Sequence, residues 1–176
     1  ESSGTDLKGI NAVAVSTGPG SFTGLRVGLS AAKGIAYSIN IPLIGISGID
    51  ALASSIIPYT EVPVCAMITS RRDEAFYAFF RRGNDNKHIR QTSDESMKIK
   101  EIGSLVNEPT IFVGNDFNKQ KPLIQKSENK QIIYAREDHW NLKASSVGIL
   151  GLKQFRNNDF DDVMEIVPNY LRPPDI

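Results

Sequence analysis

The sequence is poor in the residues that most often carry out chemistry. It has one cysteine and two histidines among 176 residues. One cysteine excludes an internal disulfide and any Cys-x-x-Cys metal or redox pair. Cys65 sits inside Val64-Cys65-Ala66-Met67-Ile68 and reads as a small core hydrophobe. His88 and His139 stand far apart, so neither H-E-x-x-H nor a two-histidine metal motif is present. Net charge is also missing: Lys and Arg number 20, Asp and Glu 20. A protein held to nucleic-acid backbone usually carries a clear positive excess, because phosphate neutralisation supplies much of the affinity. Direct nucleic-acid binding is therefore not the first expectation. No apolar run approaches the ~20 residues of a membrane-spanning helix. There is no Asn-x-Ser/Thr sequon and no recognisable signal peptide. These absences predict a reducing, cytoplasmic setting without a membrane.

The rest of the composition is that of a globular chain, with 40% apolar and 23% charged residues. A chain of this length buries roughly 70% of its unfolded surface. The first part alternates strand and helix. A strand is predicted over Ile10–Val15, a turn over Ser16–Gly20 and a helix over Thr23–Ser38, with Ser21 or Thr23 as its cap. Leu43–Ile46 is a second strand, and Ser47 with Asp50 resembles a capping box. This order predicts a parallel pair joined by a right-handed crossover. The middle reads as an antiparallel meander, with strands over Val62–Ile68 and Ala75–Arg82 and an edge strand near Ile89. Phe76, Ala78 and Phe80 alternate with Ala75, Tyr77 and Phe79, so this strand is expected to be covered on both faces. Alternation then resumes: weak helices over Lys98–Asn107 and Asn118–Lys126, strands over Pro109–Gly114 and Gln131–Tyr134, and a firm helix over Ala144–Arg156. The proline-rich tail from Val167 to Pro174 cannot be helical.

Gly18-Pro19-Gly20-Ser21-Phe22-Thr23-Gly24 lies between strand and helix, where phosphate loops sit. Its spacing matches neither G-x-G-x-x-G nor G-x-x-x-x-G-K-S. Gly24, Gly28, Ala32 and Ala36 recur every fourth residue along the next helix. Glycine costs ~1 kcal/mol relative to alanine inside a helix, so close approach of another backbone is expected. That backbone belongs either to this chain's own sheet or to a helix of a second subunit. Gly45-Ile46-Ser47-Gly48-Ile49 fails the nucleophile-elbow pattern at its last position. The stretch from Arg71 to Arg90 mixes arginines with Phe76, Tyr77, Phe79 and Phe80. Such a mixture can stack single-stranded nucleic acid, but a doubly covered strand with arginines at its ends explains it better.

Gly18 to Gly28, with Pro19, Gly20, Ser21, Phe22, Thr23 and Arg26 as its turn residues, resembles the signature of the bacterial TsaB family, also called YeaZ. Ile41–Ser47, Asp50–Ala53, Arg71–Glu74 and Tyr170-Leu171-Arg172 resemble further segments of that family in order. The resemblance implies an α/β fold of the actin-like ATPase/sugar-kinase superfamily with two α/β halves, here residues 1–58 and 59–176. The family's opening hairpin, next strand and helix have no counterpart in this sequence, so the first half is expected to be N-terminally incomplete. The resemblance further implies a non-catalytic subunit in making threonylcarbamoyladenosine on tRNA. Such a subunit binds and activates the paralogue TsaD, is joined by the ATPase TsaE, can form a homodimer, and meets tRNA only through the complex. No catalytic residue, metal or cofactor is assigned to it. Gly24, Gly28, Ala31, Ala32 and Ile35 become the expected partner seam. The rival reading is a stand-alone nucleotide-dependent or glycoprotease-like enzyme of the same superfamily.

Overall fold

The computed structural model describes residues 6–84 and 88–171. The opening loop Glu1–Thr5, most of the turn after Gly83, the His88 side chain and the tail from Arg172 onward lie outside these.

Two sheets build the chain. The first is the parallel pair β1 (Val13–Gly18) and β2 (Leu43–Ser47), linked through α1 (Phe22–Ser38). β1 starts three residues later than the Ile10 expected and runs on through the turn segment to Gly18. The reason is its partner: pairing begins where Val13 N–H donates to the Pro42 carbonyl at 2.9 Å, and among the described residues no strand residue pairs with Ile10 to Ala12. α2 (Gly48–Ser54) follows, with the Ser47 hydroxyl accepting from Asp50 N–H at 3.3 Å.

The second sheet has six strands. Its path is β5 (His88–Arg90), β4 (Glu74–Arg82), β3 (Val64–Thr69), β7 (Thr110–Asn115) and β8 (Ile132–Tyr134). β6 (Glu95–Lys98), which the sequence reading did not foresee, pairs with β4 beside Glu74–Tyr77. It is short and polar, so it lacks the apolar alternation that marks a strand. β3 and β4 form the expected hairpin, while β7 and β8 join in parallel.

The core sits on both faces of β3 and β4. Val64, Ala66, Ile68, Phe76, Ala78 and Phe80 pack with Ile49, Leu52 and Ala53 of α2. Cys65, Met67, Ala75 and Tyr77 pack on the other face with α3 (Ile99–Ser104) and α4 (Phe117–Gln125), through Ile102, Phe117 and Ile124. Each fully buried Phe or Ile here contributes about 1.5–3 kcal/mol of transfer free energy.

Residues 144–171 return to the first sheet. α5 (Ala144–Arg156) lays Val147 and Leu150 on Ile44, Ile46 and Ala51. Gly151 permits this approach: a Cβ there would lie 2.5 Å from Ala14 Cβ. The chain then runs along β2, where Asp161 N–H donates to the Leu43 carbonyl at 3.0 Å and the Asp161 carboxylate accepts from Gly45 N–H at 2.7 Å.

Arg90 ties β5 to α2. Its guanidinium donates to Asp50 at 2.6 Å and to Asp94 at 2.5 Å. Burial works against its charge, but its hydrogen bonds to the two carboxylates outweigh that and raise its pKa. Two further arginines of the 71–90 stretch are engaged as well: Arg81 meets Glu108 and Arg82 meets Glu61. With Phe76, Tyr77 and Phe80 buried, this stretch is framework rather than a stacking platform.

Candidate functional site

The glycine turn is built for close packing. Gly18 has φ +113°, a conformation L side chains rarely adopt, and a Cβ there would lie 2.9 Å from Leu25 Cδ1 and 3.1 Å from the Asn169 carbonyl. Ser21 rather than Thr23 caps α1, its hydroxyl accepting from Gly24 N–H at 3.3 Å. Phe22 and Arg26 then hold the C-terminal tail. The Phe22 and Tyr170 rings lie 4.8 Å apart, the Arg26 guanidinium sits 3.9 Å from the Phe22 ring centre, and Arg26 Nε donates to the Tyr170 hydroxyl at 2.8 Å. Asn169 N–H donates to the Thr17 carbonyl at 2.7 Å. The turn signature and the Tyr170-Leu171 tail, 144 residues apart, thus form one contact.

A cleft of about 460 Å³ lies behind the turn. Pro19 to Phe22 form one wall, Thr69 to Arg71 and Asn115-Asp116 the other, and Asn169 to Leu171 lie across it. The hairpin wall is occupied with itself, since Ser70 N–H and Arg71 N–H both turn to the Glu74 carbonyl, at 2.9 and 3.4 Å. Backbone donors used in this way are not free to wrap a phosphate. The sequence reading missed Gln120, which is fully buried and donates through Nε2 to Thr69 Oγ1 at 3.0 Å. It approaches so closely that a Cβ on Gly114 would lie 1.8 Å from Gln120 Oε1. A lone glutamine in a weakly periodic helix gave no signal of that depth. Among the described residues, no three His, Cys, Asp or Glu side chains gather where a metal ion could sit.

α1 presents a second face, and here the five seam residues divide. Ala32 is 6% exposed and packs with Ala36, Leu43, Val13 and Val15, so it belongs to this chain's own core. Gly24, Gly28, Ala31 and Ile35 are exposed on a flank turned away from that core, as is Val27. A Cβ on Gly28 would meet nothing within 4 Å. The geometry explains the split. Four residues turn a helix by about 400°, so each i+4 step drifts about 40° around the axis. From Gly24 to Ala36 the small residues spiral inward, whereas the 4-3-4 spacing Gly24, Gly28, Ala31, Ile35 stays in line as a heptad seam does. The result is a shallow, small-residue stripe flanked by Val27, 65% exposed.

Comparison with known proteins agrees with this architecture. The family model described as "TsaD: tRNA N6-adenosine threonylcarbamoyltransferase" matches residues 1–175. The tRNA threonylcarbamoyladenosine biosynthesis protein TsaB of Bacillus subtilis is 24% identical over 166 residues, covering 93% of this chain and 70% of that protein. The TsaB of Escherichia coli is 40% identical over 81 residues, 46% of this chain and 35% of that protein. Among solved structures, a Pseudomonas aeruginosa protein described as similar to peptidase YEAZ superposes with a TM-score of 0.76 at 18% identity, covering 97% of this chain and 78% of that one. The structure described as YeaZ from Pseudomonas aeruginosa gives 0.74. The α/β architecture is therefore that of the actin-like ATPase fold expected from the sequence. By the family match along its length and its likeness to the TsaB proteins, the chain belongs to the TsaD tRNA N6-adenosine threonylcarbamoyltransferase family, among its TsaB/YeaZ members.

Proposed function

We propose that this chain is the TsaB-type subunit of the machinery that makes threonylcarbamoyladenosine on tRNA. In this reading it is non-catalytic: it binds a TsaD-type paralogue and activates it, and tRNA is met only through the complex. The observation that carries the proposal is the outward stripe of α1, where Gly24, Gly28 and Ala31 leave room for a partner helix beside Val27 and Ile35. Apolar side chains exposed in line along a helix are the mark of an unfilled helix-packing face. The same face would serve a homodimer, so the two partners would compete. The cleft behind the glycine turn supports a structural part for the motif, since Gly18, Phe22 and Arg26 all hold the Asn169-Tyr170 tail. A TsaE-type ATPase joins the assembly, and the setting is cytoplasmic. No helix among the described residues is long and apolar enough to cross a membrane.

The test is reconstitution. The intact protein alone is expected to transfer no threonylcarbamoyl group to tRNA, and to raise the rate of a TsaD-type transferase when added in equimolar amount. Transfer by the chain alone, or micromolar ATP binding to it by calorimetry, would instead favour the stand-alone enzyme.

A further inference from the structure

The first two turns of α1 have little of their own to keep them helical. Leu29 is the first buried residue of the helix, followed by Ala32 and Ala36, and no side chain of residues 22–28 is buried. Gly24 and Gly28 fall in this stretch, and glycine is the weakest helix former after proline. Among the described residues, a Cβ on Gly28 would meet nothing within 4 Å and one on Gly24 only Ser21. Inward, the segment is anchored by Leu25, half-buried against Gly18 and Gly20. A short helical stretch without a packed face is marginal in water, so its order depends on contacts made from outside.

Those contacts come from the far end of the sequence. The Arg26 guanidinium stands 3.9 Å from the centre of the Phe22 ring and 5.7 Å from that of Tyr170, and its Nε donates to the Tyr170 hydroxyl. Phe22 and Arg26 are four residues apart and so are neighbours on one helix face, and holding both holds the first turn. The tail is itself fixed on either side of Tyr170. Val163 and Ile166 pack on the core beneath Ala32 and Ala36, the Lys33 ammonium donates to the Met164 carbonyl at 3.2 Å, and Leu171 packs against the core of the second sheet. Arg26 stands two residues from Gly24 and two from Gly28, which places it about 160° around the helix axis from both. A partner helix seated on the two glycines is therefore on the far flank from Tyr170, and Tyr170 acts on it only through α1.

We propose that Tyr170 is a positioning residue for the partner seam: its clasp on Phe22 and Arg26 keeps the first two turns of α1 helical, and only then do Gly24 and Gly28 line up with Ala31 and Ile35. The inference rests on α1 as the partner face and adds the tail as the element that controls it. The seam divides accordingly. Ala31 and Ile35 stand on the part of α1 held by Leu29, Ala32 and Ala36, whereas Gly24 and Gly28 stand on the part held by the clasp. A partner that needs all four binds with an affinity scaled by the fraction of chains whose clasp is closed. Linkage runs both ways, so a partner on the seam also tightens the clasp.

The test pairs amide hydrogen exchange with calorimetry, on the intact protein and a TsaD-type partner. Tyr170→Ala is expected to speed exchange at amides 25–29 and to leave amides 32–36 unchanged. It is expected to weaken partner binding about tenfold, as a fall of the closed fraction to about one tenth requires. Tyr170→Phe keeps the ring, loses one exposed hydrogen bond, and is expected to bind within about twofold of wild type. Tyr170 belongs to none of the buried clusters, so the urea midpoints of the three proteins are expected to agree. The reciprocal measurement needs no variant: partner binding to the wild-type chain is expected to slow exchange of the Asn169 amide, which lies outside the seam. Tyr170→Ala that binds within about twofold of wild type, or an Asn169 exchange rate that the partner leaves unchanged, overturns the proposal alone, provided that Gly28→Leu still weakens the partner. If the wild-type chain binds no such partner, or Gly28→Leu binds it as well as wild type does, the seam reading fails and takes the proposal with it.

Discussion

Gly28→Leu separates the fold from the interface. In the isolated chain the new side chain enters open space, because a Cβ at this position meets no atom within 4 Å. Replacing an exposed helical glycine by leucine then stabilises α1 by about 0.5–1 kcal/mol through helix propensity alone. In the complex the same side chain stands where a partner helix packs. Helices in contact lie about 8–10 Å apart, and small residues set the lower end of that range. Forcing a leucine into such a seam costs about 1–3 kcal/mol. At about 1.4 kcal/mol per decade, that is roughly a 5- to 150-fold loss of affinity. Ala32→Leu is the internal contrast. Ala32 packs with Leu43, Val13 and Val15, so the added volume strikes this chain's own core and lowers its stability by about 1–3 kcal/mol. Urea unfolding followed by Trp140, the only tryptophan, measures the first quantity, and calorimetry with a TsaD-type partner measures the second. The reasoning fails if Gly28→Leu binds the partner within twofold of wild type while the chain grows more stable. It fails equally if Gly28→Leu destabilises the isolated chain by more than about 1 kcal/mol, since the space around Gly28 would then not be open.

Further outcomes follow from other contacts. Gly151→Ala sets a methyl 2.5 Å from Ala14 Cβ and is expected to cost about 1–3 kcal/mol, whereas Gly148→Ala, with nothing within 4 Å, is expected to stabilise α5 by up to about 1 kcal/mol. The two urea midpoints should therefore move in opposite directions, and movement in the same direction counts against the close α5–β1 packing. Tyr170→Ala removes the ring against Phe22 and Arg26, and faster amide exchange is expected at Asn169 and through the first turn of α1. Tyr170→Phe keeps the ring and should lose only about 1 kcal/mol or less, the worth of one exposed hydrogen bond. Burial pushes the Cys65 thiol up. Above about pH 8.5, where an unfolded thiol titrates, the unfolded chain releases a proton that the native chain keeps, so stability falls by up to about 1.4 kcal/mol per pH unit. Cys65→Ala should flatten that decline between about pH 8.5 and 10, and an unaltered slope would show that the thiol is not the cause.

Much of the element order was legible because it rests on local rules. β3 and β4 announce themselves by apolar side chains on both faces, and they are buried on both. Ser21 and Ser47 stand where a cap is needed and accept the expected N–H groups. β6 was not legible, because Glu95-Ser96-Met97-Lys98 is held by the free edge of β4 rather than by its own pattern.

The sequence alone determined the strand–helix alternation, the glycine turn and the family signature, because capping, periodicity and backbone freedom act over a few residues. It could not decide which way each small residue of α1 faces, since a 3.6-residue turn carries an i+4 row around the helix. Only the folded chain places Ala32 and Ala36 in the core and leaves Gly24 and Gly28 outside. Nor could it join Arg26 to Tyr170 or Gln120 to Thr69. Those groupings depend on how the sheets and helices pack across the whole length of the chain, a property that no local window contains.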